Sequence, residues 1–185
     1  MNLPAGLLDH NYEFFADAGR SHAFCLNSGR VLAFDKFPVA LTLLLDAHFS
    51  LFPDKVKAAV ALASENGISA LEQLTICNYG GFDSEPDMIN GKLQSHEFWQ
   101  CPKRGTCVYE GKCCDKLSTP SGEFLTPAEI RVVKLTAEGN LDKTIADRLS
   151  ISTNTVAIHQ RNIRRKTMLF RKADVTRFAH AKNLI

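Results

Sequence analysis

Four of the six cysteines in this 185-residue chain stand in one short segment, CPKRGTCVYEGKCC, residues 101–114. Their spacing is C-x5-C-x5-C-C, and Cys77 lies 24 residues before Cys101. Thiols at that density suit a zinc ion, an iron–sulfur cluster, a redox-active pair, or no special chemistry. Zinc takes four ligands in a tetrahedron, often thiolates, and iron–sulfur clusters also take four cysteines. The segment has no CxxC pair. Pro102, Gly105 and Gly111 let it fold around an ion, and Lys103, Arg104, Lys112 and Lys116 offset thiolate charge. Adjacent cysteines rarely share one ion. The expected ligands are therefore Cys77, Cys101, Cys107 and one of Cys113 or Cys114, with zinc the first choice and an iron–sulfur cluster the alternative. His96 can replace a cysteine, but a lone His beside Glu97 is more often a surface residue. Cys25 reads as a small apolar strand residue.

Two other chemistries fare worse. Asp83, Glu85 and Asp87 invite calcium, but the loop lacks the sixth-position glycine and distal glutamate of an EF-hand. It reads as a solvated turn. Cys101 with His96 can pose as a nucleophile and base. Nothing resembles a nucleophile elbow, a phosphate loop or a paired-carboxylate site, so no catalytic residues and no enzyme are expected.

A second concentration of chemistry is basic. Residues 123–185 hold 12 Lys and Arg against 6 Asp and Glu, or +6. The remaining 10 against 14 leave residues 1–122 at −4. A basic third on an acidic body suits a polyanion-binding module joined to something else. Its elements are well marked. Thr126, Pro127 and Glu129 spell an N-cap, first helical residue and capping box, and Gly139 stops that helix. A short helix spans about 141–149, with Ile145, Ala146 and Leu149 apolar. Ser150-Ile151-Ser152 turns the chain, with Ser152 as the next N-cap. A third helix, roughly 153–167, sends Val156, Ile163 and His159 towards the core, and a fourth begins near Lys172. Short helix, tight turn and longer basic helix is the helix-turn-helix plan. On the third helix Ala157, Arg161, Arg164 and Arg165 share one face. Ala157 and Ile158 are small or apolar enough to enter the major groove, and Arg161 can donate to guanine O6 and N7. Arg164, Arg165 and Lys166 stand where the helix meets phosphates.

Residues 125–185 resemble the LuxR/GerE-type four-helix DNA-binding domain. The carrying residues are LTPAE, AEG at 137–139, K-x-IA-x-RL at 143–149, IS at 151–152, TV at 155–156 and H-x-x-NI-x-RK at 159–166. The resemblance implies a recognition helix at 153–167 and dimerisation through the fourth helix. It implies base-facing roles for Ala157, Ile158 and Arg161, and backbone-facing ones for Lys143, Thr155 and His159. Thr144 stands where the family often has an acidic residue, and Thr167-Met168-Leu169 where it commonly has Leu-Gly-Val. Sigma-factor region 4 carries a similar module, but residues 1–122 show no aromatic, basic promoter-melting helix. A thiol-based redox protein or enzyme with an accessory DNA-binding domain is the other alternative.

The elements upstream are less distinct. Residues 22–34 suggest two short strands around Asn27-Ser28-Gly29. Residues 37–52 suggest a buried helix, Pro53–Asn66 a second, and 68–76 a third. Residues 78–92 read as loop. There is no alternation of strands and helices as in a phosphoacceptor receiver. The single Trp and three Tyr do not suit an acyl-homoserine-lactone domain. No apolar run nears the roughly 20 residues that cross a bilayer, and the N-terminus has no basic signal-peptide region. The expected fold is mainly α: a mixed α+β N-terminal domain over 1–118, a linker at 119–124 and the helix-turn-helix domain at 125–185. The expected protein is a bacterial, cytoplasmic transcription regulator that binds double-stranded DNA as a homodimer. RNA polymerase is a further candidate partner, and no membrane is expected.

Overall fold

The computed structural model describes residues 3–96, 98–99, 101–182 and 184–185. It is mainly helical with a small antiparallel sheet, as expected. The chain divides into two compact units, Met1–Trp99 with Gly111–Asp115, and Gln100–Glu110 with Lys116–Ile185. Among the described residues no helix is long and apolar enough to cross a membrane.

In the N-terminal unit, β1 (Glu13–Ala16), β2 (Ala23–Asn27) and β3 (Arg30–Ala33) form one antiparallel sheet in that order. Glu13 faces Leu26, and Phe24 faces Ala33. Ser28 and Gly29 both have positive φ, 50° and 72°, the two-residue hairpin turn whose twist matches the strands. The β2–β3 hairpin meets expectation. β1 was not foreseen, because EFFA shows no alternation. A long-range bond places it: the Phe14 amide donates to Asp87 Oδ2 at 2.8 Å. Asp87 is consequently buried and is no part of a solvated turn. Cys25 sits in β2 with no exposure, and burial pushes its thiol up to about 12.

Three helices complete the unit: α1 (Val39–Ser50), α2 (Pro53–Asn66) and α3 (Ala70–Tyr79), of which α3 packs on β1 and β2 and the other two pack on α3. Pro53 opens α2, and Gly67, at φ 70°, closes it by donating to the Ala63 carbonyl. Ser69 caps α3 by accepting from the Glu72 amide at 3.1 Å. The expectation that α1 is a buried helix fails. Only its Leu41, Leu45 and Phe49 stripe is buried, while Val39 and Leu43 are 73% and 63% exposed. Part of the expected loop is a second hairpin, β4 (Met88–Ile89) and β5 (Lys92–Leu93). Its Asn90-Gly91 turn, φ 50° and 76°, is the strongest short hairpin signal a sequence offers. The aromatic core joins Phe14, Phe49 and Tyr79, with ring centroids 5.9 Å (Phe14–Tyr79) and 6.2 Å (Phe49–Tyr79) apart.

The C-terminal unit holds α4 (Pro127–Ala137), α5 (Asp142–Leu149), α6 (Thr153–Thr167) and α7 (Lys172–Ala181). The first three start and stop within a residue or two of expectation, and α7 starts at the expected Lys172. The capping box is complete: Thr126 Oγ1 accepts from the Glu129 amide at 3.2 Å, and Glu129 Oε2 accepts from the Thr126 amide at 2.8 Å. Ile130, Val133, Ile145, Val156, Ile163, Val175 and Ala179 fill the core. Met168, where the family commonly has glycine, takes the left-handed conformation itself, φ 58°, and the α6–α7 turn survives. Residues 100–110 also belong to this unit. Gly105, φ 90°, lies so close to α4 that a Cβ there would meet Arg131 Cγ at 2.7 Å. The turn-forming stretch 119–124 thus lies inside the C-terminal unit, with the chain crossing between units at about 100, 111 and 116.

Candidate nucleic-acid interface

Ser150, at φ 54°, ends α5 in the left-handed conformation, and the Ile151 amide donates back to the Ala146 carbonyl at 3.0 Å. Ser152 then opens α6, its Oγ accepting from the Thr155 amide at 3.0 Å and meeting Thr155 Oγ1 at 2.8 Å. The α5–α6 turn is therefore held from both sides by local bonds. Gln160 Nε2 donates to Asp142 Oδ1 at 2.7 Å, tying the middle of α6 to the first turn of α5.

α6 carries no acidic residue, and its exposed side chains are Thr153, Asn154, Ala157, Ile158, Arg161, Arg164 and Arg165. From Asn154 to Arg161 these fall at i, i+3, i+4 and i+7, one continuous stripe. Its N-terminal half is small, apolar or amide-bearing, and its C-terminal half is cationic. Lys143 is exposed on the first turn of α5. Thr155 and His159 are half-buried, Thr155 with its hydroxyl turned into the cap. Asn154 had no place in the sequence reading. It is the first exposed amide on α6, and its side chain carries both a donor and an acceptor, the pair that suits adenine N7 and N6. Its signal was its position two residues after the Ser152 cap.

Two of the expected phosphate-facing residues have partners inside the unit. Lys166 is buried; its Nζ donates to Glu129 Oε2 at 2.7 Å and to the Phe124 carbonyl at 2.9 Å. The same carboxylate completes the capping box, so α4 starts and α6 ends on one buried group. Arg165 is exposed and binds the Glu123 carboxylate with both terminal nitrogens, Nη2 to Oε2 at 2.9 Å. Arg165 holds the Glu123 carboxyl below its usual range, and Glu123 raises the guanidinium in turn. Neither partner was legible from α6 alone. Arg161 and Arg164 remain as its outward cations.

The candidate thiol ligands fall into two groups. Cys77, Cys113 and Cys114 belong to the N-terminal unit, Cys101 and Cys107 to the C-terminal unit. None is joined in a disulfide. Among the described residues no three His, Cys, Asp or Glu side chains gather to hold a metal ion.

No curated protein and no solved structure matches the chain. Residues 123–179 match the model of the luxR family of bacterial regulatory proteins. The match begins at Glu123 and spans α4, α5, α6 and most of α7. The C-terminal unit thus contains a LuxR-type helix-turn-helix domain, the DNA-binding module of that family.

Proposed function

We propose that this chain is a cytoplasmic transcription regulator, not an enzyme, that reads duplex DNA by seating α6 in the major groove. The stripe Asn154, Ala157, Ile158, Arg161 and Arg164 carries the reading: it is exposed, free of acidic residues, and graded from base-compatible to phosphate-compatible groups. Ile158, 41% exposed, offers apolar contact to a thymine methyl. Arg161 donates to guanine, and Arg164 and Lys143 meet phosphates. The α6 N-terminus adds its own amides and dipole near a phosphate. Arg165 reaches DNA only by leaving Glu123. Dimerisation through α7, which would set two half-sites, rests on the family resemblance.

The input is proposed to act through the thiols Cys77, Cys101, Cys107, Cys113 and Cys114. Zinc binding is preferred, with an iron–sulfur cluster or thiol oxidation as the alternatives. What supports it is their density in the sequence. Elemental analysis of protein purified without oxygen tests it: zinc without visible absorbance fits a thiolate site, iron with a brown colour fits a cluster, and neither metal leaves oxidation alone.

The DNA reading is tested by enriching duplexes from a random pool with the full chain, then comparing the enriched sequence with a scrambled one at one salt concentration. A regulator prefers its site by roughly 10³-fold or more. Equal binding to both would reduce the unit to a non-specific polyanion binder.

A further inference from the structure

Away from the helix-turn-helix, the N-terminal unit gathers two imidazoles, an ammonium, a carboxylate and a phenol. His48, near the end of α1, and His96, three residues after β5, bring their Nε2 atoms to 2.8 Å from each other. The Tyr79 hydroxyl is 3.4 Å from His48 Nε2 and donates to the Gln94 carbonyl at 3.0 Å. The other nitrogen of His96, Nδ1, lies 3.1 Å from Asp115 Oδ2 and 2.8 Å from Lys55 Nζ. Lys55 also holds Asp115 Oδ1 at 2.8 Å and Asn78 Oδ1 at 2.7 Å.

We propose that His48 and His96 bind one transition-metal ion of the borderline class, zinc first, through their Nε2 atoms. The site uses none of the five candidate thiols and does not depend on the DNA reading. Two imidazole nitrogens on one ion at about 2.1 Å stand roughly 3.0–3.4 Å apart for bond angles between square and tetrahedral. The rings need to part by well under 1 Å from where they stand. Imidazole pairs suit zinc, copper, nickel and cobalt.

Three features separate this pair from a bare contact between rings. First, Asp115 engages the nitrogen of His96 that faces away from His48. A carboxylate on the far nitrogen is the usual outer partner of a metal-bound histidine; in the tautomer that frees Nε2, the Nδ1–H donates to Asp115, and Lys55, which can only donate, keeps to Asp115 Oδ1 and Asn78 Oδ1. Second, the His96 ring is clamped. It stacks on Phe49 at 5.7 Å, meets Tyr79 edge-on at 5.5 Å, and its side chain is 9% exposed. A ring so held keeps its Nε2 aimed without further loss of freedom on binding. Third, a cavity of about 460 Å³, with Phe52, Gln94 and Ser95 in its wall, opens beside both rings. It gives an ion a path and leaves room for water or a small ligand to complete the coordination. The Lys55 charge, which would repel a cation, sits at the far nitrogen of His96 and is matched by Asp115.

The experiment titrates the chelator-treated full chain with cobalt(II) and zinc(II). Cobalt bound by imidazoles shows weak visible bands without the near-ultraviolet thiolate charge-transfer band that cysteine ligation brings. The expected result is one such ion per chain, lost in both His48→Ala and His96→Ala and weakened about 10–100-fold in Asp115→Asn. Imidazole nitrogen resonances of the unaltered protein give the same answer without substitutions: those of His48 and His96 should move on adding zinc. Unmoved resonances, or bound cobalt that always shows the thiolate band and survives both histidine substitutions, would overturn the site and leave a hydrogen-bonded imidazole pair.

Discussion

Each unit holds one lysine ammonium in its interior, and the two are buried to nearly the same degree. The Lys55 side chain is 12% exposed and that of Lys166 11%. Their carboxylates differ. Glu129, beside Lys166, is 3% exposed, whereas Asp115, beside Lys55, is 50% exposed. Lys166 also meets a backbone carbonyl, and the carboxylate it holds is the one that caps α4. Lys55 shares Asp115 with His96, which touches His48, and the cluster opens onto a cavity. His96 and then Lys55 hold the Asp115 carboxyl well below the usual carboxylate range. Burial lowers His48 from its ordinary value, helped by His96 and Lys55. A lysine–carboxylate pair thus serves as a sealed clamp in one unit and as part of an open, adjustable cluster in the other.

Breaking the clamp should have the largest effect. Lys166→Met leaves Glu129 buried without a counter-charge, a loss of about 3–5 kcal/mol that denaturant unfolding would measure. In protein still folded, the salt dependence of DNA binding should stay as it was, because this ammonium never reaches a phosphate. A fall of about one in the salt slope would instead restore Lys166 to the interface. Arg161→Ala, on the outward stripe, should cost roughly 1–3 kcal/mol at one base pair of the enriched site and leave stability alone. Equal losses on enriched and scrambled duplexes would make Arg161 a phosphate contact.

Lys55→Met sharpens the contrast. Asp115 can hydrate, so the loss should be nearer 1–2 kcal/mol, mostly from the unpaired Asn78 amide oxygen. A cost equal to that of Lys166→Met would erase the difference between the two units. Met168→Gly should stabilise the C-terminal unit by about 1 kcal/mol, because only glycine takes φ 58° without strain and Met168 is 60% exposed. The smallest effect is that of acid on Glu123. Its folded pKa is lowered, so the Arg165 link contributes fully above the unfolded carboxylate value of about 4.3 and is lost as pH falls through the folded one. A carboxyl-carbon NMR titration should place the Glu123 midpoint below that of glutamate in the unfolded chain, and Arg165→Ala should raise it.

How much of this was legible in the sequence follows the range of the interactions. The helices of the C-terminal unit are delimited by neighbours: Thr126 with Glu129, Ser152 with Thr155, Gly139 after α4. Caps and stops act over three or four residues, so they can be read without a fold. The inward turn of Lys166 joins residues 37 apart, and a stripe of basic residues does not say which one has a buried carboxylate beneath it. In the N-terminal unit nearly everything decisive is long-range. β1 depends on Asp87, 73 residues on, and the His48–His96 contact spans 48. His96 looked like a lone surface histidine because its partners come from α1, α2, α3 and the 111–115 segment. The Asn90-Gly91 hairpin is the exception, a local signal passed over inside a stretch of polar residues. The apolar composition of α1 suggested full burial, yet composition does not say how many faces find neighbours.

The central claim, α6 in the major groove, is tested most directly by methylation interference on the enriched duplex. Dimethyl sulfate marks guanine N7 in the major groove and adenine N3 in the minor groove. N7 methylation of at least one guanine should block the unaltered protein, and Arg161→Ala should be indifferent to that same mark. Interference from adenine N3 alone, with guanine N7 methylation tolerated throughout, would contradict the claim.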